Sequence, residues 1–203
     1  MNRNLNEDQF DALHEIANIA MGKAGAALAK ILDRFVRLSV PNVIIIDVDN
    51  ISKIIPNMVE NIQQVNIVRQ AFYDQLDGEA FVIYSDEGCQ DLEELMGYKQ
   101  YHEKNLNQEL LLDITNILVG ATLNSFADQI SSELSYSRPT LFEEKTFLEP
   151  FFTSHSFPWK STLLFKVAFT LEEGSFTSHI LIFLSEQSIE RIEQGINTWL
   201  EAI

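Results

Sequence analysis

The sequence predicts an α+β fold built from two similar halves, and three observations support this prediction. Residues 11–22 are echoed 98 residues later by residues 109–120, and the same 98 residues separate Pro41 from Pro139. Proline makes up only about 5% of an average composition, so a matched pair at one fixed distance is an uncommon coincidence. Each proline also follows a helical pattern and precedes a β-branched and aromatic run. The chain is therefore predicted to contain an internal repeat.

The repeat is expected to span the whole chain as one domain. The runs IVRQAF and FVIYS of the first half correspond to FKVAF and ILIFL of the second. No linker rich in proline, glycine or serine separates the halves, and residues 98–108 form only a polar connection. We therefore expect a single domain over residues 1–203, made of two fused repeats at about 5–100 and 105–203.

The first element of each half is predicted to be a helix, because apolar residues recur there at three- and four-residue steps. In the first half these residues are Phe10, Leu13, Ala17, Met21, Ala24 and Leu28. In the second half they are Leu110, Ile114, Ile117, Leu118 and Ala121. Asn4 and Glu7 have the spacing of a capping box and are expected to begin the first helix.

Strands are predicted directly after the two prolines, in the runs VIIIDV and TLFEEKTF. Proline cannot continue a helix, so it fits a connection from helix to strand. The remaining predicted elements of the first half are a helix at about 51–62, strands near 64–72 and 79–85, and a helix near 87–97. Those of the second half are strands near 161–171 and 175–184 and a helix at about 186–200.

Composition and charge narrow the classes of function. A net charge of −16 and a pI near 4.5 argue against nucleic acid and anionic lipid surfaces as partners, because both carry negative charge. Cys89 is the single cysteine and the amino terminus lacks the pattern of a secretory signal, so we expect a cytoplasmic protein. The apolar runs are shorter than the roughly 20 residues that span a bilayer, so membrane insertion is not expected.

A polar stripe lies along each predicted motif helix, because positions three and four residues apart share one helix face. The first stripe holds Asp11, Glu15, Asn18 and Gly22, and the second holds Glu109, Asp113, Asn116 and Gly120. On a single helix such residues are usually solvated side chains, but their repetition favours a function. A glycine inside a helix costs about 0.5–1 kcal/mol relative to alanine. The two glycines therefore indicate either close packing of the two helices or close approach of another protein.

An acid beside an amide limits the chemistry that the stripe can perform. Covalent catalysis requires a nucleophile with an activating base, and the stripe offers no serine, cysteine, histidine or metal cluster for that purpose. A carboxamide can instead orient an attacking water, a role that glutamine has in phosphoryl transfer by GTPases. The acid would then anchor a cation on the partner protein.

The motif resembles the signature of the CheC/CheX/FliY phosphatases. That signature has an acidic or serine residue, Glu four residues later, Asn three residues after that, and Pro after 22 intervening residues. The first copy matches it fully with Asp11, Glu15, Asn18 and Pro41. The second copy matches in part, with Glu109 in place of Asp or Ser, Asp113 in place of Glu, and then Asn116 and Pro139. Two copies in a chain of this length are similar to the CheC-type members.

The resemblance implies two long motif-bearing helices packed on a β-sheet about a pseudo-twofold axis. It implies a phosphorylated CheY-like receiver as substrate, with Mg²⁺ supplied by the receiver and no cofactor bound by this chain. Glu15 would bind a receiver lysine and Asn18 would orient the water for in-line attack on the phosphoaspartate. Asp113 and Asn116 would form the second, weaker site.

Two other classes of function stay open. The first is a noncatalytic interaction module that binds a receiver domain, CheD or flagellar switch components, since family relatives include such proteins. The second is nucleotide or metal chemistry, for which the signals are weak. The MGKAG run at Met21 lacks the P-loop spacing and lies inside a helix, and the four histidines show no metal-ligand spacing. No metal site is therefore expected on this chain.

Overall fold

The computed structural model describes residues 5–59, 64–95, 104–172 and 176–201. In the first half the elements are α1 (Glu7–Leu32), β1 (Val36–Leu38), β2 (Asn42–Asp47), a 3₁₀ turn (Val48–Asn50), α2 (Ile51–Met58), β3 (Val65–Asp74), β4 (Gly78–Ser85) and α3 (Asp86–Leu95). In the second half they are α4 (Lys104–Gln129), β5 (Leu134–Tyr136), β6 (Thr140–Thr146), α5 (Leu148–Ser154), β7 (Ser161–Leu171), β8 (Thr177–Leu184) and α6 (Glu186–Glu201).

The strands form one antiparallel sheet that draws on both halves of the chain. Its order is β1-β7-β8-β4-β3-β5, with β2 beside β7 and β6 beside β3. The first two strands of each half therefore pair with the third strand of the other half. Apart from the 3₁₀ turn, the order α-β-β-α-β-β-α occurs twice, as the repeat would require. The duplication itself and the division at about residue 100 stay predictions.

Helices cover both faces of the sheet, which makes a three-layer molecule. One face packs against α1, α3, α4 and α6, and the other face packs against α2 and α5. Side chains alternate between the two faces along β4. Val82 and Tyr84 pack into the first core, on the side of α1, α3, α4 and α6, whereas Phe81 and Ile83 pack into the second core, on the side of α2 and α5. This arrangement confirms the predicted α+β class with two long helices on a sheet.

The apolar face of α1 lies where the sequence predicts it. Leu13, Ala17, Met21, Ala24 and Leu28 are all buried, and Phe10 is half-buried against the same core. The predicted cap is wrong, because the helix begins after Asn6. The Asn6 side chain accepts from the Gln9 backbone N–H, and the Gln9 side chain accepts from the Asn6 backbone N–H, both at 2.9 Å. Asn4 lies outside the described residues.

Other boundaries differ from the sequence prediction by a few residues. The helix expected at 51–62 ends at Met58, and α4 begins at Lys104, inside the segment expected to be a connection. The strands β1 and β5 and the helix α5 were not predicted. The last residues of the helix expected near 87–97, and residues 98–103 of the expected connection, lie outside the described residues.

Candidate functional site

The first motif faces outward from α1. Asp11, Glu15 and Asn18 are all exposed, and none of their side chains has a hydrogen bond or ion pair with another described residue. The helix can present them because its opposite face, with Leu13, Ile16 and Ala17, is fully buried. A carboxylate and a carboxamide one turn apart are therefore both free to contact a partner.

The second motif faces outward from α4 in the same way. Glu109, Asp113 and Asn116 are exposed. Asn116 differs from Asn18, because its Oδ1 accepts a hydrogen bond of 2.9 Å from Nε2 of Gln70 on β3. The carboxamide of Asn116 thus has an internal partner while it stays accessible from outside.

A buried contact beneath Asn116 ties α4 to the sheet. The hydroxyl of Tyr84 on β4 lies 2.9 Å from Oγ1 of Thr115, and both residues are buried. Burial raises the pKa of Tyr84, which outweighs the lowering effect of the hydrogen bond to Thr115. The phenol therefore stays protonated and available for this hydrogen bond.

The two prolines of the signature lie at the edges of the sheet. Pro41 is buried directly before β2, and Pro139 is half-buried directly before β6. Each lies in the short connection between the two strands that pair with the other half of the chain. Their position is compatible with a conformational role, since proline fixes the backbone at the start of a strand.

The glycines of the two stripes face open space. A Cβ added to Gly22 or to Gly120 would meet no atom within 4 Å. Close packing of the two motif helices, one of the two explanations offered by the sequence, therefore does not account for either glycine. Gly25 shows the contrast, since a Cβ there would lie 2.9 Å from the Leu38 side chain.

An open groove borders the first motif. It has a volume of about 470 Å³ and lies between the first turns of α1 and the end of α6. Asp8, Asp11 and Glu15 supply acidic groups on one side, and Trp199 and Leu200 supply apolar surface on the other. A hydrogen bond of 2.9 Å from Gln9 Nε2 to Asn197 Oδ1 holds the two helices together there. The groove suits a partner that carries a cation beside apolar side chains.

The described residues contain no group of three or more His, Cys, Asp or Glu side chains that could hold a metal ion. Nδ1 of His14 lies 2.8 Å from the Phe10 carbonyl oxygen, so this ring bonds its own helix. His155 belongs to a cluster with Glu79 and Arg69, packed against Phe81 of the second core. The exposed side chains of the two motifs are carboxylates and carboxamides.

One helix among the described residues, Gln108–Gln129, has the length and apolar composition to cross a membrane. In the fold, 61% of its most apolar window is buried. The same helix carries the exposed second motif and packs on the sheet. These contacts are those of the core helix of a globular protein.

Comparison with known proteins agrees with this geometry. A profile of the CheC-like family matches residues 9–45, which hold the complete first motif. The CheY-P phosphatase CheC of Bacillus subtilis (strain 168) is 24% identical over 145 residues, a match that spans 66% of this chain and 66% of that relative. The crystal structure of Thermotoga maritima FliY has 16% identity and a TM-score of 0.71, covering 97% of this chain and 100% of its own. The FliM middle domain from H. pylori has 8% identity and a TM-score of 0.62, covering 94% and 99%.

The shared fold defines the class, an α+β protein with the architecture of the FliY and FliM structures. Over residues 9–45, the segment that holds the first motif, the chain is similar to the CheC-like family.

Sequence reasoning missed the surroundings of both motifs. Trp199 and Leu200 approach the first motif only because α6 packs beside α1, nearly the whole chain length away. Gln70 gives a weak signal, since it is a polar residue on the buried side of a strand between Val68 and Phe72. A buried amide in such a pattern needs a hydrogen-bonding partner, but the sequence does not name it.

Proposed function

We propose that this chain is a phosphatase that hydrolyses the aspartyl phosphate of a CheY-like response regulator in the cytoplasm. The observation that carries the proposal is the exposure of Glu15 and Asn18 on one face of α1, with no internal partner among the described residues. Two such groups, one helical turn apart, can reach together into a pocket on another protein. The similarity to a CheY-P phosphatase supports the choice of substrate.

The proposed reaction uses water as the nucleophile. The water oxygen attacks phosphorus, the bond from phosphorus to the aspartate oxygen breaks, and the products are aspartate and inorganic phosphate. The carboxamide of Asn18 accepts a hydrogen bond from the water and holds it in line with the leaving oxygen. Positioning of this kind supplies most of the catalysis in phosphoryl transfer, since the transition state requires little covalent chemistry from the protein.

Glu15 has the role of an anchor in this proposal. Its carboxylate pairs with a lysine of the receiver and so fixes the distance from Asn18 to the phosphoryl group. The open space at Gly22 lets the receiver approach the helix closely. Asp113, Asn116 and Gly120 form a second site of the same kind, while Mg²⁺ stays with the receiver.

The test is catalytic turnover on a phosphorylated CheY-like receiver domain. Inorganic phosphate is measured with the chain at substoichiometric concentration and with Mg²⁺ present, against the receiver alone. The wild-type chain should accelerate phosphate release over many turnovers, and the double variant Asn18→Ala, Asn116→Ala should return it to the spontaneous rate. Full turnover by the double variant would remove the catalytic assignment.

The same experiment separates the proposal from an interaction module. The fold similarity to the FliM middle domain shows that this architecture occurs in more than one kind of chemotaxis and flagellar protein. A chain that binds the phosphorylated receiver stoichiometrically without accelerating phosphate release would be a binding module. Binding of CheD is a separate prediction, to be tested by co-purification of the two proteins.

A further inference from the structure

We infer that Gln70 is a positioning residue for Asn116, and that it fixes which end of this exposed carboxamide faces a partner. The inference rests on the proposed function of the second site. Gln70 lies on β3 with 1% of its surface exposed, and its Nε2 donates to Asn116 Oδ1 at 2.9 Å. Asn116 thereby keeps Nδ2 and one lone pair of Oδ1 for contacts outside the protein.

A main-chain carbonyl sets this orientation. Nε2 of Gln70 also donates to the carbonyl oxygen of Ser137, at 3.0 Å. A carbonyl only accepts hydrogen bonds, so a flipped Gln70 would place its own oxygen against the Ser137 oxygen. Because Gln70 must donate on this side, the atom of Asn116 that meets it must be the acceptor Oδ1. The Ser137 carbonyl thus fixes the orientation of the Gln70 amide, and Gln70 in turn fixes the orientation of the Asn116 amide.

The arrangement leaves one polar atom unsatisfied. Oε1 of Gln70 is buried and has no hydrogen-bond partner within the described part of the chain. A buried acceptor without a partner destabilises a fold, and an apolar side chain of similar size would avoid that cost. Local violations of this kind are expected at functional sites, so the amide at position 70 is better explained by its bond to Asn116.

The corresponding position of the other half has no amide. Ser137 Oγ accepts from the Ala71 backbone N–H at 3.0 Å, and Ser39 Oγ accepts from the Ala168 backbone N–H at 2.9 Å. In these matched contacts Ala168 corresponds to Ala71. Val167, directly before Ala168, therefore corresponds to Gln70, directly before Ala71. Valine is fully buried there and has no atom that hydrogen bonds a side chain. Within the described part of the chain, the orienting hydrogen bond is therefore present for Asn116 and absent for Asn18.

The test replaces Gln70 by methionine, which keeps the length and removes the amide. In an Asn18→Ala background, where turnover depends on the second site, Gln70→Met should lower single-turnover phosphate release by about threefold to tenfold, the range of one neutral hydrogen bond. In an Asn116→Ala background the same substitution should leave the rate unchanged. Equal losses in both backgrounds would mean a general structural defect and would overturn the inference.

A second measurement needs no turnover and no substitution at position 70. Side-chain amide ¹⁵N relaxation in the wild-type chain should give a higher order parameter for Asn116 Nδ2 than for Asn18 Nδ2, because only the former carboxamide is held. The resonances are identified by their loss in the two alanine variants. Equal order parameters would overturn the inference even if phosphatase activity is found. A clear difference would support the hydrogen bond even if the chain proves to be a binding module.

Discussion

At the scale of single residues, the two motifs differ in the length of the anchoring acid and in the freedom of the amide. Asp113 is one methylene shorter than Glu15, and a misplacement of about 1 Å can cost on the order of 10²-fold in rate. The hydrogen bond from Gln70 holds Asn116 but offers only about a tenfold gain. We therefore expect Asn18→Ala to reduce phosphate release from a phosphorylated receiver more than Asn116→Ala does. Equal losses from the two single variants would contradict this ranking.

A lengthened acid provides the matched control for that ranking. In the Asn18→Ala background, Asp113→Glu should raise the remaining phosphate release, because it restores the reach of the anchor at the second site. Asp113 is exposed and has no internal partner among the described residues, so the substitution should leave the urea midpoint of unfolding unchanged. A faster second site with unaltered stability would attribute the difference to the acid alone.

The positions of the motif residues on one helix face could be predicted from the sequence, whereas the residues of other elements that contact them could not. Helical spacing alone places Glu15 and Asn18 on one face, and the structure confirms that this face is exposed. Gln70 is 46 residues away from Asn116 along the chain, and the contact exists only because β3 lies under α4. Contacts of this kind depend on tertiary packing, which no local pattern encodes.

At the scale of the elements, the open space beside Gly22 predicts how α1 meets its partner. Gly22→Ala should stabilise the helix by about 0.5–1 kcal/mol, since a Cβ there meets nothing within 4 Å. Gly22→Leu should also fold, but its longer side chain would fill the space that the receiver needs. In an Asn116→Ala background we expect Gly22→Leu to raise the KM for the phosphorylated receiver while the urea midpoint is kept.

The equivalent glycine of the other helix serves as the control for this substitution. Gly120→Leu in the same Asn116→Ala background alters the site that is already inactive, so the KM should stay at its background value. An unchanged KM for Gly22→Leu would show that the receiver does not approach this part of α1. Neither close packing of the two helices nor close approach of a partner would then explain Gly22.

The elements that sequence reasoning missed are those that depend on distant partners. The helix α5 has seven residues, includes Pro150 and has no side-chain cap, so little local signal favours it. It forms where Phe151 and Phe152 pack under the sheet against Phe81. The three-residue strands β1 and β5 exist only through pairing with β7 and β3. The amino-terminal cap was misplaced because Asn4 and Asn6 both precede an acceptable partner at the third position.

At the scale of the whole molecule, the central sheet holds an ionisable group that links stability to pH. His179 lies on β8 between β4 and β7, 7% exposed, and its Nδ1 has no hydrogen-bond partner within the described residues. Burial lowers the pKa of His179 to about 4, and the charge of Lys166 acts in the same direction. The ring is therefore neutral in the folded protein at pH values where the unfolded chain protonates it.

Between the usual histidine pKa of about 6.5 and the folded value, the unfolded chain binds a proton at His179 that the folded protein does not bind. The free energy of unfolding therefore falls as the pH is lowered through that window. We expect the free energy of unfolding to decrease by about 2 kcal/mol between pH 7 and pH 5 on account of His179. His179→Leu should remove this contribution to the pH dependence of the free energy of unfolding, measured by urea titration. Between pH 8 and pH 7 the free energies of unfolding of the variant and the wild type should change in parallel. The measurements stop at pH 5 to leave out the titration of Glu79. Burial raises the pKa of this carboxyl group, but hydrogen bonds from His155 and Arg69 lower it overall. The contribution of Glu79 to stability is therefore lost only at lower pH. An identical slope in the variant would show that the histidine is solvated or protonated in the fold, and hence that the sheet does not close around it.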